Sequence, residues 1–118
     1  MDGEIGHEEL ASIIENGGDA RVVDIRPPSA YERGHVPGSE NVPLQQLVDD
    51  IERFEGDERV VTLCPEGKSS IQAARLIASY EGFSGRAESF APGLAKWDGP
   101  LERGRDDEPA DEGPEAPF

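Results

Sequence analysis

The chain of 118 residues carries 26 acidic against 11 basic residues, a net charge of −15, and its length suits one domain with one core. No basic stripe exists to neutralise phosphates, which disfavours nucleic-acid binding, and the single cysteine excludes an intrachain disulfide and any CxxC redox or zinc site. No apolar stretch approaches the ~20 residues of a membrane span, and the N-terminus lacks a signal peptide's basic and apolar regions, so the expected location is the cytoplasm.

In chain order, a capped helix is expected from about Gly6 or His7 to Asn16, with Leu10, Ile13 and Ile14 on one face and Gly17-Gly18 as its stop. Arg21 to Ile25 reads as a buried strand broken by Pro27-Pro28, and Ser29-Ala30-Tyr31-Glu32 is a capping-box pattern opening a short helix. The turn-rich Gly34-His35-Val36-Pro37-Gly38 leads to a short strand near Glu40 to Val42. Leu44, Leu47, Val48, Ile51 and Phe54 mark one amphipathic helix. Arg59 to Cys64 is the second strong strand. A helix from Ser69 or Ser70 to Tyr80 follows, with Ala73, Leu76, Ile77 and Tyr80 inward. Arg86 to Phe90 is a further strand, and Leu94 to Trp97 a short helical turn after Gly93.

Strands that are nearly continuous apolar runs, alternating with helices, indicate an α/β domain whose mostly parallel sheet is covered on both faces. From about Arg103 the chain is acidic and proline-rich with one large apolar residue, so residues 1–102 are expected to form the domain and 103–118 a disordered acidic tail. Acidic residues are also dispersed through the domain, and nine of the eleven basic residues are arginines. That dispersal reads as a surface adapted to high salt, where screening removes self-repulsion, with a moderately acidic mesophilic protein as the alternative.

The densest chemical information lies in Val60-Val61-Thr62-Leu63-Cys64-Pro65-Glu66-Gly67-Lys68-Ser69-Ser70. A lone cysteine is most often a small packing residue. Here it ends an apolar strand, and the six residues after it have no core to fill. The expected strand–turn–helix order puts the sulfur beside the backbone N–H groups of a helix N-terminus, a position that favours a nucleophilic thiolate and an anion held against it.

Three segments then agree in order and spacing with one family. Val22-Val23-Asp24-Ile25-Arg26, Gly34-His35-Val36-Pro37-Gly38-Ser39 and Cys64 to Ser70 resemble the rhodanese domain family, with its D-[VI]-R strand end, G-H-I-P-G-A turn and C-x-x-G-x-[RKST]-S loop. Pro92-Gly93-Leu94-Ala95-Lys96-Trp97 is similar to the family's G-G-x-x-x-W segment, and the likeness runs from about residue 4 to residue 102. The resemblance implies a three-layer α/β domain with a five-stranded, mostly parallel sheet. It also implies a sulfurtransferase whose cysteine takes sulfane sulfur from a donor such as thiosulfate or a persulfide, and passes it to a thiol or cyanide. A sulfur-carrier protein fits the same partner class. No cofactor, metal, nucleic acid or membrane is implied.

In that scheme Cys64 is the catalytic nucleophile, and Pro65, Glu66, Gly67, Lys68, Ser69 and Ser70 form the substrate cradle. Gly67 allows a turn with φ > 0, Lys68 offers a cation, and the serines offer hydroxyl donors or a helix cap. Arg26 is divided between substrate binding and a surface ion pair. Asp24, His35 and Trp97 are expected to be supports: Asp24 hydrogen-bonded to the loop or to the His35 segment, His35 holding its turn, Trp97 packing near the loop. Two positions depart from the family pattern. Pro65 removes a backbone donor, and Glu66 stands where many thiosulfate-using members carry a basic residue, so thiosulfate is expected to be the poorer donor beside a protein or small-molecule persulfide. A cysteine phosphatase would need a longer loop with an arginine six positions after the cysteine, where this chain has Ser70. A non-catalytic binding module of the same fold is the other alternative.

Overall fold

The computed structural model describes residues 2–16 and 20–103. Its strands are β1 (Asp2–Ile5), β2 (Ala20–Asp24), β3 (Glu40–Asn41), β4 (Arg59–Leu63) and β5 (Arg86–Phe90). Its helices are α1 (His7–Asn16), α2 (Pro28–Arg33), α3 (Leu44–Asp49) and α4 (Ser69–Ser79), with 3-10 turns at Ile51–Phe54 and Leu94–Lys96. The five strands form one sheet in the order β1-β5-β4-β2-β3, and every pairing is parallel.

Alternation along the strands builds two cores. Val23 of β2 and Val60 of β4 face α3 and α4, where they pack with Leu47, Phe54, Ala73, Ala74 and Ile77. Their neighbours Val22, Val61 and Leu63 point to the opposite side and pack with Leu10, Val36 and Phe90, against which Ile13, Ile14 and Trp97 close. Period-two alternation thus serves both faces, which is why these strands read as unbroken apolar runs. Cys64 falls on the α4 side, one step beyond the end of β4.

Several details differ from the expectations. The edge strand β1 (Asp-Gly-Glu-Ile) was not among the strands read from the residues. Only Ile5 of it carries an apolar signal, and its pairing with β5 supplies the rest. The helix expected from Leu44 to Phe54 is instead α3 followed by a 3-10 turn, the break falling at Asp50 with φ −113° and ψ 31°. Tightening the last turn still buries Phe54, but leaves Val48 53% exposed. Leu76, expected inward on α4, is 40% exposed, and with Val48 and Leu44 it borders an open groove between the two helices. The capping box at Ser29 is not formed. α2 begins one residue earlier, with Pro27 at the cap position and Pro28 as the first helical residue, where a missing N–H costs nothing. Gly17-Gly18 and the tail beyond Arg103 lie outside the described residues. Among the described residues no helix is long and apolar enough to cross a membrane.

Charged residues at the amino ends of the strands are tied into networks. Arg21 reaches Glu40 at 2.7 Å and Asp57 at 2.8 Å. Hydrogen bonding to Glu40, foremost, raises the pKa of its guanidinium above the ordinary arginine value, against the opposing effect of burial. Arg59 similarly joins Glu9 and Glu88.

Candidate active site

The site is assembled at the carboxyl end of the central strand. β4 delivers Cys64 into a loop, and α4 starts at Ser69, so the loop must reverse within four residues. Gly67 makes this possible with φ +81°. A Cβ on Gly67 would drive into the carbonyl oxygen of Ala91, so only glycine fits that approach. Gly93, at φ +84°, is the reciprocal contact, its missing Cβ leaving room for the Pro65 carbonyl.

Three groups converge on Cys64 Sγ. The backbone N–H of Gly67 donates to it at 3.1 Å and the backbone N–H of Ser70 at 3.2 Å, while the thiol itself donates to Ser70 Oγ at 3.3 Å. Ser70 is the second residue of α4, and Lys68 at the cap position makes no side-chain cap hydrogen bond. The sulfur therefore takes the place of the usual oxygen cap and satisfies one of the helix's unpaired N–H groups. Of the two roles expected for the serines, hydroxyl partner or helix cap, Ser70 takes the first, its hydroxyl lying against the sulfur, and Ser69 lines the cavity. The loop from Cys64 to Ser70 contains no arginine to grip a phosphate, since Ser70 occupies that position. With the dipole of α4 behind the two N–H donors, the arrangement favours negative charge on sulfur.

Cys64 is 2% exposed and forms the floor of an open cavity of about 290 Å³, lined also by Pro65, Glu66, Lys68 and Ser69. Glu66 and Lys68 are exposed at its rim. The loop is clasped from outside by the segment after β5: Leu94 N–H donates to the Cys64 carbonyl at 2.8 Å, and Ala95 N–H to the Pro65 carbonyl at 2.9 Å. From inside, Thr62 Oγ1 donates to the Ser70 carbonyl at 2.7 Å. Thr62 and this backbone clasp were missed in the sequence. A buried threonine in an apolar run needs a partner, and that need was the available signal.

The remaining residues stand beside the cradle. Arg26 does not line the cavity. Its guanidinium pairs with both carboxylate oxygens of fully buried Asp24, the shortest contact being 2.8 Å, and donates to the Gly34 carbonyl at 2.7 Å. Asp24 thus reaches the His35 segment through Arg26 rather than directly. His35 is buried, with Nδ1 2.9 Å from the Tyr31 carbonyl and its ring stacked on Tyr31 at 3.9 Å. Its backbone pairs with Glu102 in both directions. Trp97 packs edge-on to Phe90 and parallel to His7, on the sheet face opposite Cys64.

Comparison with known proteins agrees with this geometry. The chain is 39% identical over 80 residues to a thiosulfate sulfurtransferase GlpE of Pseudomonas paraeruginosa, covering 68% of this chain and 70% of that protein. The human single-domain sulfurtransferase TSTD1 superposes with a TM-score of 0.68 at 27% identity, covering 80% of this chain and 93% of that one. The rhodanese-like domain of Anabaena Alr3790 gives a TM-score of 0.73 at 26% identity over 97% of this chain and 89% of its own. Residues 6–99 match the model of the rhodanese-like domain. A parallel sheet that presents its one cysteine to a helix N-terminus, together with a match over most of the chain, establishes that this protein belongs to the rhodanese-like domain family.

Proposed function

We infer that this protein is a sulfurtransferase in which Cys64 carries the sulfur. The Cys64 thiolate attacks the outer sulfur of thiosulfate or of a persulfide. The S–S bond breaks, and sulfite or a thiolate leaves with the electron pair. A thiol, cyanide or a sulfur-carrier protein then attacks the outer sulfur of the Cys64 persulfide and regenerates the thiolate. The observation that carries this reading is the convergence of the Gly67 N–H, the Ser70 N–H and Ser70 Oγ on one sulfur. The two N–H donors hold the thiolate that makes the attack. Persulfide chemistry needs no general base once the thiolate exists, which leaves His35 in its structural role. We place the reaction in the cytoplasm, where thiol acceptors are kept reduced.

The test is mass spectrometry of the full chain after exposure to thiosulfate or a persulfide, followed by cyanide. A gain of one sulfur atom on Cys64, released as thiocyanate, is the expected result. No adduct with any donor would favour the binding-module reading.

A further inference from the structure

The rim of the cavity carries two opposite charges on either side of Gly67. Glu66 and Lys68 both line it and both are exposed, and among the described residues neither makes an ion pair. Most other cations in the domain are engaged: Arg21, Arg26, Arg53, Arg59 and Arg86 all lie beside carboxylates. Lys68 is also one of only two lysines in the chain. A site built for a small dianion would surround its mouth with positive charge alone, because a carboxylate at the rim repels the incoming ligand. The open cavity of about 290 Å³ is far larger than the ~10–15 Å³ needed to hold one water, leaving room for an organic donor.

We propose that the site takes a zwitterionic aminothiol persulfide, of the cysteine type, as its sulfur donor, with Glu66 receiving the ammonium and Lys68 the carboxylate. The inference rests on the sulfur-transfer reading of Cys64. Residues 66 and 68 are two positions apart, a separation of at most ~7 Å between backbones, so their flexible side chains can reach the adjacent charged groups of one amino acid. Glu66 and Lys68 then orient the persulfide with its outer sulfur toward the floor. The Cys64 thiolate attacks that sulfur, the donor's S–S bond breaks, and the electron pair and the proton leave together as the free aminothiol. The transferred sulfur remains on Cys64 as a persulfide anion. No external oxidant or reductant enters.

The test is single-turnover loading of the full chain, read by mass spectrometry, with cysteine persulfide, N-acetylcysteine persulfide, cysteine ethyl ester persulfide and thiosulfate. Exposed ion pairs of this kind are worth up to about fivefold each in rate constant. Cysteine persulfide should therefore load faster than either the acetylated or the esterified donor by up to that factor. In Glu66→Gln the preference for the free amine should fall to about one while thiosulfate loading accelerates. In Lys68→Met the preference for the free carboxylate should fall instead, and thiosulfate loading should slow. Both side chains are exposed, so circular dichroism should show each variant folded. Equal rates for the three organic donors in the native protein, or preferences that survive both substitutions, would overturn the proposal while leaving sulfur transfer intact. Failure of every donor to load Cys64 would instead overturn the sulfur-transfer reading beneath it.

Discussion

The proposed chemistry rests on a few residues whose contributions separate by atom. Cys64→Ser removes the sulfur of the chain's single cysteine, yet the side chain is nearly isosteric. Loading should vanish while the thermal midpoint stays close to that of the native protein, and any residual transfer to cyanide would refute the nucleophile. Ser70→Ala leaves both N–H donors on the sulfur and deletes one hydroxyl. Hydrogen bonds to charged groups are worth about 1.5–3 kcal/mol, so the loading rate should fall at least ~10-fold at unchanged fold, measured by stopped alkylation and single-turnover loading. Arg26 gives the opposite pattern. Its partner Asp24 is fully buried, and removing one member of a buried pair costs about 3–5 kcal/mol because the other charge is stranded. Arg26→Ala should therefore lose stability by that amount in denaturant unfolding. A variant of native stability that binds donor poorly would return Arg26 to the substrate site.

At the level of elements, the loop is held in position by two unrelated parts of the chain. β4 and α4 define its ends, and the segment after β5 presses Gly93 against Pro65 and Ala91 against Gly67. Gly67→Ala meets both a positive φ and a backbone oxygen with no room to move. Strain of this class costs of order 1–3 kcal/mol, and its relief must displace the Gly67 N–H from the sulfur. The expected outcome is a lower thermal midpoint together with slower loading. Loss of stability with unchanged loading would show that the Gly67 donor is dispensable. The His35–Glu102 backbone pair likewise sets where the domain can be trimmed, since Glu102 closes the turn that holds His35.

At the scale of the whole molecule, the sequence carries an excess of 15 negative charges that repel one another. Salt screens such repulsion beyond ~10 Å at 0.1 M and ~3 Å at 1 M. The unfolding midpoint should therefore rise along a salt series, and a flat or falling trend would remove the high-salt reading of the composition. Residues 103–118 carry no apolar face, so their deletion should change stability by less than the ~2–5 kcal/mol of a single core truncation. A larger loss would mean that the segment packs on the domain and that the boundary lies elsewhere.

What was legible in the residues was whatever a local pattern can encode. The apolar runs of β2 and β4, the period of α1 and α4, and a thiol placed between a strand and a helix all follow from side-chain chemistry within a dozen positions. The strand β1 was not legible, because only Ile5 in it is apolar and its hydrogen bonds come from β5, distant in sequence. The engagement of Arg26 was also undecided, because its partners include a carbonyl eight residues away whose position depends on the path of α2. Long-range packing likewise determined which donors reach the sulfur. Ser69 and Ser70 look alike in sequence, but the start of α4 turns Ser70 inward to Cys64 and leaves Ser69 on the cavity wall. The candidate nucleophile could be picked out from the sequence, whereas its cradle exists only once β4, α4 and the turn after β5 have closed on one another.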